Sequence, residues 1–191
     1  MYRLFSYKYE YHNYAYWEDG FSVKELDDLQ NLAKSVLGPA NVGKEDGHGE
    51  DLGIRRTKVG WIEQVAENIW VYDKIGHITN VLNSRFFNFD IDWLEQPQLG
   101  NYLAEDRGTY DWHMDQGSPK CRKLSFVMQL TDPLDYEGGE LLLQLGSTPV
   151  TIPKKRGLVT VFPSYILHKV TEVTQGSRQS LVCWINGPAF R

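Results

Sequence analysis

His113 and Asp115 stand one residue apart in the run "TYDWHMDQGS", residues 109–118, in a chain with only five histidines. On an extended strand, side chains at i and i+2 leave the same face. The two would project together, with Met114 turned away. An imidazole and a carboxylate supply two of the three ligands that hold a metal from one side. His168, opening the later run "HKVTEV", is the candidate third. Two imidazoles and one carboxylate leave three coordination positions open, the arrangement of non-haem Fe(II) oxygenases. H-x-D alone is a weak signal, because a surface histidine beside a turn aspartate gives the same pattern. Its weight comes from what lies downstream.

Ten residues beyond His168 comes "RQSLVCWI", in which Arg178, Ser180, Val182 and Trp184 share one face of a strand. A guanidinium with a hydroxyl two residues on can clamp a carboxylate. The far carboxylate of a 2-oxo diacid is such a group, free when the keto-acid end chelates iron. An inward arginine in a β-core must be paired, so it implies a ligand; an Arg178 pointing to water would be the ordinary surface alternative. Zinc hydrolysis with the same three ligands is chemically allowed, but it gives Arg178 and Ser180 nothing to do.

The elements that must position these residues read as follows. The opening "YKYEYHNYAY" alternates tyrosine with polar residues, as a strand or extended arm does. In "SVKELDDLQNLAKSVLG", Ser22 and Glu25 form a capping box. Val23, Leu26, Leu29, Ala33 and Val36 make one helical face, and Gly38 is placed to end it. Residues 43–53, rich in glycine and charge, read as a loop, and "IRRTKVGWI" as a strand. Residues 63–83 repeat apolar side chains at Val65, Ile69, Tyr72, Ile75, Ile78 and Leu82, which predicts a second amphipathic helix. From about residue 92, short β-rich runs follow one another between Gly/Pro breaks: "LGNYLAE", "YDWHMD", "KLSFVMQL", "ELLLQL", "TPVTI", "LVTVF", "HKVTEV" and "SLVCWIN". The pattern predicts a mainly β, α+β chain. Its core is a jelly roll (a double-stranded β-helix) of about eight strands, with the N-terminal helices packed on one sheet. We expect one dioxygenase-sized domain over 1–191, with supporting elements in 1–90 and the β-core in 91–191.

The totals narrow the function classes. Net charge is −5 and there is no long basic run, so nucleic acid is not the expected partner. No segment approaches the ~18 apolar residues of a membrane span, and the N-terminus lacks the pattern of a signal peptide. Cys121 and Cys183 form neither a disulfide framework nor a CxxC site. Two reduced thiols and a cytoplasmic location are expected.

From "LGNYLAEDRGTYDWHMD" through "KLSFVMQLTDPLDYEGGEL" to "VTVFPSYILHKVTEVTQGSRQSLVCWINGP", the chain resembles the Fe(II)- and 2-oxoglutarate-dependent dioxygenases of the prolyl 4-hydroxylase-like group, and within it the PKHD-type hydroxylases. The combination carries the resemblance: H-x-D, "GGEL", "FPS", the distal histidine, then Arg-x-Ser. It implies His113, Asp115 and His168 as iron ligands. It implies Arg178 on the 5-carboxylate of 2-oxoglutarate, helped by Ser180, Tyr102 and, in a looser alignment, Gln129. Trp184 would be a wall beside the metal, with Tyr110, Arg55 and Arg56 as further pocket candidates. Gly138 and Gly139 look like turn residues without chemistry of their own. Asp115 stands where halogenating relatives carry a small residue, which disfavours halogenation. The implied reaction consumes O2 and 2-oxoglutarate, hydroxylates an unactivated C–H bond and releases succinate and CO2, with ascorbate supportive. A peptidyl proline is the first substrate expected. A free amino acid, another small molecule or a nucleobase would use the same chemistry, the nucleobase being least suited to the charge. A jelly-roll module that binds metal without turnover is the alternative of another class.

Three histidines remain. His12 and His77 read as structural, and His48, in "EDGHGED", as part of a solvated loop. That loop, followed by Arg55 and Arg56, is a candidate lid over the substrate.

Overall fold

The computed structural model describes residues 12–37, 55–117 and 121–189. In chain order the strands are β1 (Ala15–Trp17), β2 (Arg55–Arg56), β3 (Lys58–Trp61), β4 (Trp93–Leu94), β5 (Gln98–Leu103), β6 (Thr109–His113), β7 (Arg122–Gln129), β8 (Tyr136–Gly138), β9 (Leu141–Leu143), β10 (Val150–Thr151), β11 (Val159–Pro163), β12 (His168–Val170) and β13 (Val173–Asn186). Two helices, α1 (Val23–Val36) and α2 (Ile69–Leu82), complete the main elements. The larger sheet runs β1-β11-β7-β13-β5-β3, with β4 and β8 pairing the two ends of β13. The smaller runs β10-β9-β12-β6-β2. Neighbours in both are antiparallel, and the two sheets face each other as a double-stranded β-helix.

Period-2 alternation decides what each face does. On β7, Leu124, Phe126 and Met128 join the core beneath the helices, while Ser125, Val127 and Gln129 point the other way, between the sheets. On β13, Leu181, Cys183 and Ile185 face the helices. Arg178, Ser180, Val182 and Trp184 therefore face inward, as the sequence pattern requires. The helices bury Leu26, Leu29, Ala33, Ile75, Ile78 and Leu82 against that outer face. The inter-sheet core includes Leu143, Ile152, Phe162 and Val173.

The α1 capping box forms: the Ser22 hydroxyl accepts from Glu25 N–H, and Glu25 Oε2 accepts from Ser22 N–H at 2.7 Å. Val23 is 68% exposed, because it sits in the first turn before the helix reaches the sheet. Farther along, α1 crosses β3 closely; a Cβ on Gly60 would lie 2.6 Å from Val36 Cγ2. Gly38, His48 and the 43–53 loop lie outside the described residues, as does the tyrosine-rich opening up to residue 11.

Several boundaries differ from the sequence pattern. "IRRTKVGWI" is not one strand: β2 pairs β6 in the small sheet and β3 pairs β5 in the large one. The segment bridges both sheets, a tertiary feature invisible to local propensity. The second helix begins at Ile69, six residues later than expected, after a 3-10 turn at Ala66–Asn68, and a π-turn at Asn83–Phe87 extends it. Val65 is consequently 42% exposed, as is Ile69 at 41%. "TQGS" does not separate two strands; β13 runs through it, with Gly176 at φ +70 pairing Tyr136. The strands β4 and β8 come from stretches read as connections. Both cysteines are free thiols, and burial pushes the Cys183 thiol up, which keeps it protonated and inert. No helix among the described residues is long and apolar enough to cross a membrane.

Candidate active site

β6 and β12 pair so that His113 and His168 are register partners. That pairing turns two residues 55 positions apart into neighbours, with ring centroids 4.1 Å apart. Asp115 follows the end of β6, where its N–H donates to Ser164 O at 3.0 Å. This bond turns the chain so that the carboxylate lies between the imidazoles: Oδ1 is 3.7 Å from His113 Nε2 and Oδ2 is 3.5 Å from His168 Nε2. One ligand atom from each of the three lies within 4.8 Å of the others. Met114 is 56% exposed, turned away as alternation demands.

The tautomers are fixed by the backbone. His113 Nδ1 lies 2.7 Å from Asp111 O, and His168 Nδ1 lies 2.9 Å from Ile166 O. A carbonyl only accepts, so each Nδ1 carries the proton and each Nε2 presents a lone pair to the centre. Burial, then the neighbouring His168 imidazole, pushes the His113 imidazole down to about 4, so it is neutral near pH 7. Two imidazole nitrogens and a carboxylate suit a borderline divalent cation such as Fe(II).

The carboxylate is held from behind. Ser125 Oγ donates to Asp115 Oδ2 at 2.7 Å. With its proton so used, Ser125 accepts from Ser164 Oγ at 2.9 Å. Both serines are fully buried. Sequence reasoning missed this relay, although a serine in the apolar run "KLSFVMQL" at an inward position was a readable signal. Ser164 belongs to "FPS", so that motif supplies both a carbonyl for the Asp115 turn and a hydroxyl for Ser125, which holds the Asp115 carboxylate.

Deeper in the same cavity lies Arg178, 1% exposed. Its Nη1 is 3.4 Å from Ser180 Oγ, and its Cζ is 5.1 Å from the centroid of the Tyr102 ring. Arg178 Nε and Nη2 have no hydrogen-bond partner among the described residues. A buried guanidinium with idle donors, facing a cavity, fits an anionic ligand supplied from outside the chain. Val127, Leu141 and Val170 line the same cavity. The donor set and the idle arginine together therefore fit Fe(II) at one end of the cavity and a dicarboxylate's far end at the other.

The remaining candidates divide. Tyr110 stacks on His113 with centroids 3.5 Å apart, and Trp184 lines the cavity. Arg55 also lines it, over Tyr110 and donating to Gln98 Oε1 at 2.8 Å. Arg56, its strand neighbour, faces the other side and pairs with Glu172 at 3.6 Å, so it is not part of the pocket. Gln129 is buried on the inward face of β7 beside Ser180 but does not line the cavity. His12 packs edge-on to Phe86 and His77 to Trp17, away from the site. Also unforeseen was the brace behind Trp184. Arg122 binds both Glu95 oxygens, at 2.7 and 2.8 Å, and its Cζ lies 4.0 Å from the Trp184 ring centroid. Glu95 and Arg122 are far apart in sequence, so no local pattern announces them.

A jelly roll holding a His-x-Asp…His set, with an unsatisfied arginine one strand on, defines a class, and comparison with known proteins agrees. Residues 97–186 match the 2OG-Fe(II) oxygenase superfamily. The chain is similar to 2-oxoglutarate/Fe(II)-dependent oxygenases in sequence, and to prolyl hydroxylases in fold. A PKHD-type hydroxylase of Alteromonas mediterranea is 29% identical over 185 residues, covering 88% of this chain and 76% of that protein. One of a Synechococcus strain is 41% identical over 84 residues, but the match covers only 43% of this chain and 38% of that protein. Among solved structures, a Pseudomonas putida prolyl-4-hydroxylase superposes with TM-score 0.72 at 19% identity, covering 93% of this chain and 94% of that one. A Trichoplax adhaerens prolyl hydroxylase, solved with a peptide fragment of hypoxia inducible factor, gives TM-score 0.74 at 19% identity, with 92% and 84% covered.

Proposed function

We propose that the chain binds Fe(II) through His113 Nε2, His168 Nε2 and the Asp115 carboxylate, anchors 2-oxoglutarate on Arg178, and hydroxylates a peptidyl prolyl residue. The observation that carries this is Arg178: a guanidinium buried to 1% exposure, with two idle nitrogens, in the cavity that also holds the three ligands. Iron with 2-oxoglutarate would supply the oxidising power for C–H hydroxylation, consuming O2 and releasing succinate and CO2. The chain's own residues do the rest. The Asp111 and Ile166 carbonyls hold both imidazoles in the ligating tautomer. Ser180 and Tyr102 flank the anchored carboxylate, and Val127, Leu141 and Val170 exclude water along the cavity. Trp184, braced by Arg122, forms a flat wall suited to a proline ring, while Tyr110, stacked on His113 with Arg55 over its ring, backs that histidine. The prolyl hydroxylase neighbour solved with a peptide fragment favours a peptide over a small molecule. Ascorbate, as a reductant, would keep the metal ferrous between turnovers.

Incubating the full chain with Fe(II), 2-oxoglutarate, ascorbate and a panel of proline-containing peptides should release succinate and add one oxygen atom to proline. The mass gain is located by tandem mass spectrometry. Oxygen gained only on free amino acids would overturn the peptide assignment; no succinate under any condition would overturn the enzyme assignment.

The serine relay makes a separate expectation. Ser125→Ala should weaken metal retention about ten- to a hundredfold, the usual effect of losing a partner behind a metal ligand. The Fe(II) requirement rises while that for 2-oxoglutarate moves little, and Ser125→Thr restores it. An unchanged Fe(II) requirement in the alanine variant would refute the role.

A further inference from the structure

We infer that Tyr136 and Gly139 form a seat behind Arg178 that sets the depth of the cavity, and so selects the chain length of the 2-oxo diacid. This rests on the cavity being the 2-oxoglutarate site. Arg178 lines the cavity, whereas Tyr136 and Gly139 do not, and the space over Gly139 is bounded by both the Arg178 stem and the Tyr136 ring. A Cβ on Gly139 would lie 2.8 Å from Arg178 Cδ and 3.2 Å from Tyr136 Cε2. The arginine arm is therefore packed against bare backbone at a place where a methyl group has no room. Gly139 also has φ +63, and its N–H donates to Glu172 O at 3.1 Å, which fixes the backbone beneath the arm.

Tyr136 completes the seat. It is 4% exposed, its hydroxyl has no hydrogen-bond partner among the described residues, and Gly176 on β13 is its register partner. Burial raises its phenol, and the Arg178 guanidinium and the Lys154 ammonium oppose that rise. The Lys154 Nζ lies 4.7 Å from the Tyr136 ring centroid and donates to Gly138 O, pinning the ring and the turn together. Tyr136 is thus a positioning residue acting through Arg178. "YEGG" holds the guanidinium at one distance from the metal ligands, and the glycines are more than a turn.

Two variants test the seat. Tyr136→Phe keeps the ring and removes the hydroxyl. It should raise KM for 2-oxoglutarate roughly three- to tenfold, the weight of one buried polar group removed from behind the guanidinium. The fall in kcat should be smaller and the Fe(II) requirement steady. Gly139→Ala pushes the arginine arm forward into the cavity. It should move the ratio of kcat/KM for the four-carbon oxaloacetate over the five-carbon 2-oxoglutarate upward by about tenfold, on the order of one methyl-sized misfit. Binding is read independently by the thermal shift that each diacid gives with Mn(II), a metal that does not turn over. If Gly139→Ala fails to fold, Tyr136→Phe decides by its KM split. Wild type that ignores 2-oxoglutarate in both assays would sink the site assignment itself. Wild type that responds, with variants whose KM and chain-length ratio match it, would overturn the seat alone.

Discussion

Replacing His168 with alanine should cut turnover at least ~10³-fold, because a three-ligand site that loses one imidazole loses most of its hold on the metal. His113→Ala and Asp115→Ala should do the same. The expectation is sharp because the three side chains have little else to do. His168 is 5% exposed, and its Nδ1 is already satisfied by a carbonyl, so only Nε2 is left for the metal. The variant should still fold: the rings occupy the mouth of the cavity, while the core is built from residues such as Phe126, Leu143 and Val161. Metal analysis of purified wild type and variant, beside succinate release in added Fe(II), checks this. Wild-type turnover in the variant would show that the convergence of these residues is structural.

Arg178→Met should raise the 2-oxoglutarate requirement by a few hundredfold. Two or more charge-assisted hydrogen bonds to a carboxylate, in a site shielded from water, are worth about 3–4 kcal/mol in total. The Fe(II) requirement should hardly change. A second consequence separates a ligand anchor from a structural arginine. Without co-substrate, Arg178 is a buried charge with idle donors, so an apolar side chain of similar length should not lower the melting temperature and can raise it. With saturating 2-oxoglutarate and Mn(II), wild type gains stability by mass action and the variant does not. A titration showing equal effects on iron and 2-oxoglutarate, or a large loss of stability without ligand, would contradict the assignment.

The residues of the proposed site were legible where strand alternation imposes spacing. Alternation on strands places His113 with Asp115, and Arg178 with Ser180 and Trp184, whatever the rest of the fold does. The outer core was legible for the same reason: Leu26, Leu29, Ala33, Ile75 and Ile78 repeat with helical period. Illegible were the features that exist only after the sheets close. Thr57 marks a change of sheet between β2 and β3, which no local preference encodes. The start of α2 fell at Ile69 instead of residue 63 because the apolar period extends upstream past the point where the backbone turns. Glu95 meets Arg122 across the sheet, so the brace on Trp184 had no sequence neighbour to reveal it; of the relay on Asp115, Ser125 was readable as a serine in an apolar run, whereas its meeting with Ser164 was not. Arg56 was paired with Arg55 by adjacency, and strand geometry sends the two to opposite faces.

The most direct measurement is an anaerobic titration of the full chain, first with Fe(II) and then with 2-oxoglutarate, followed by visible absorption. A 2-oxo acid chelated to ferrous iron gives a metal-to-ligand charge-transfer band that neither component shows alone. The band should grow to saturation at one 2-oxoglutarate per chain, vanish in His168→Ala, and demand far more 2-oxoglutarate in Arg178→Met. A wild-type chain that loads Fe(II) yet develops no such band would contradict the placement of iron and co-substrate in this cavity.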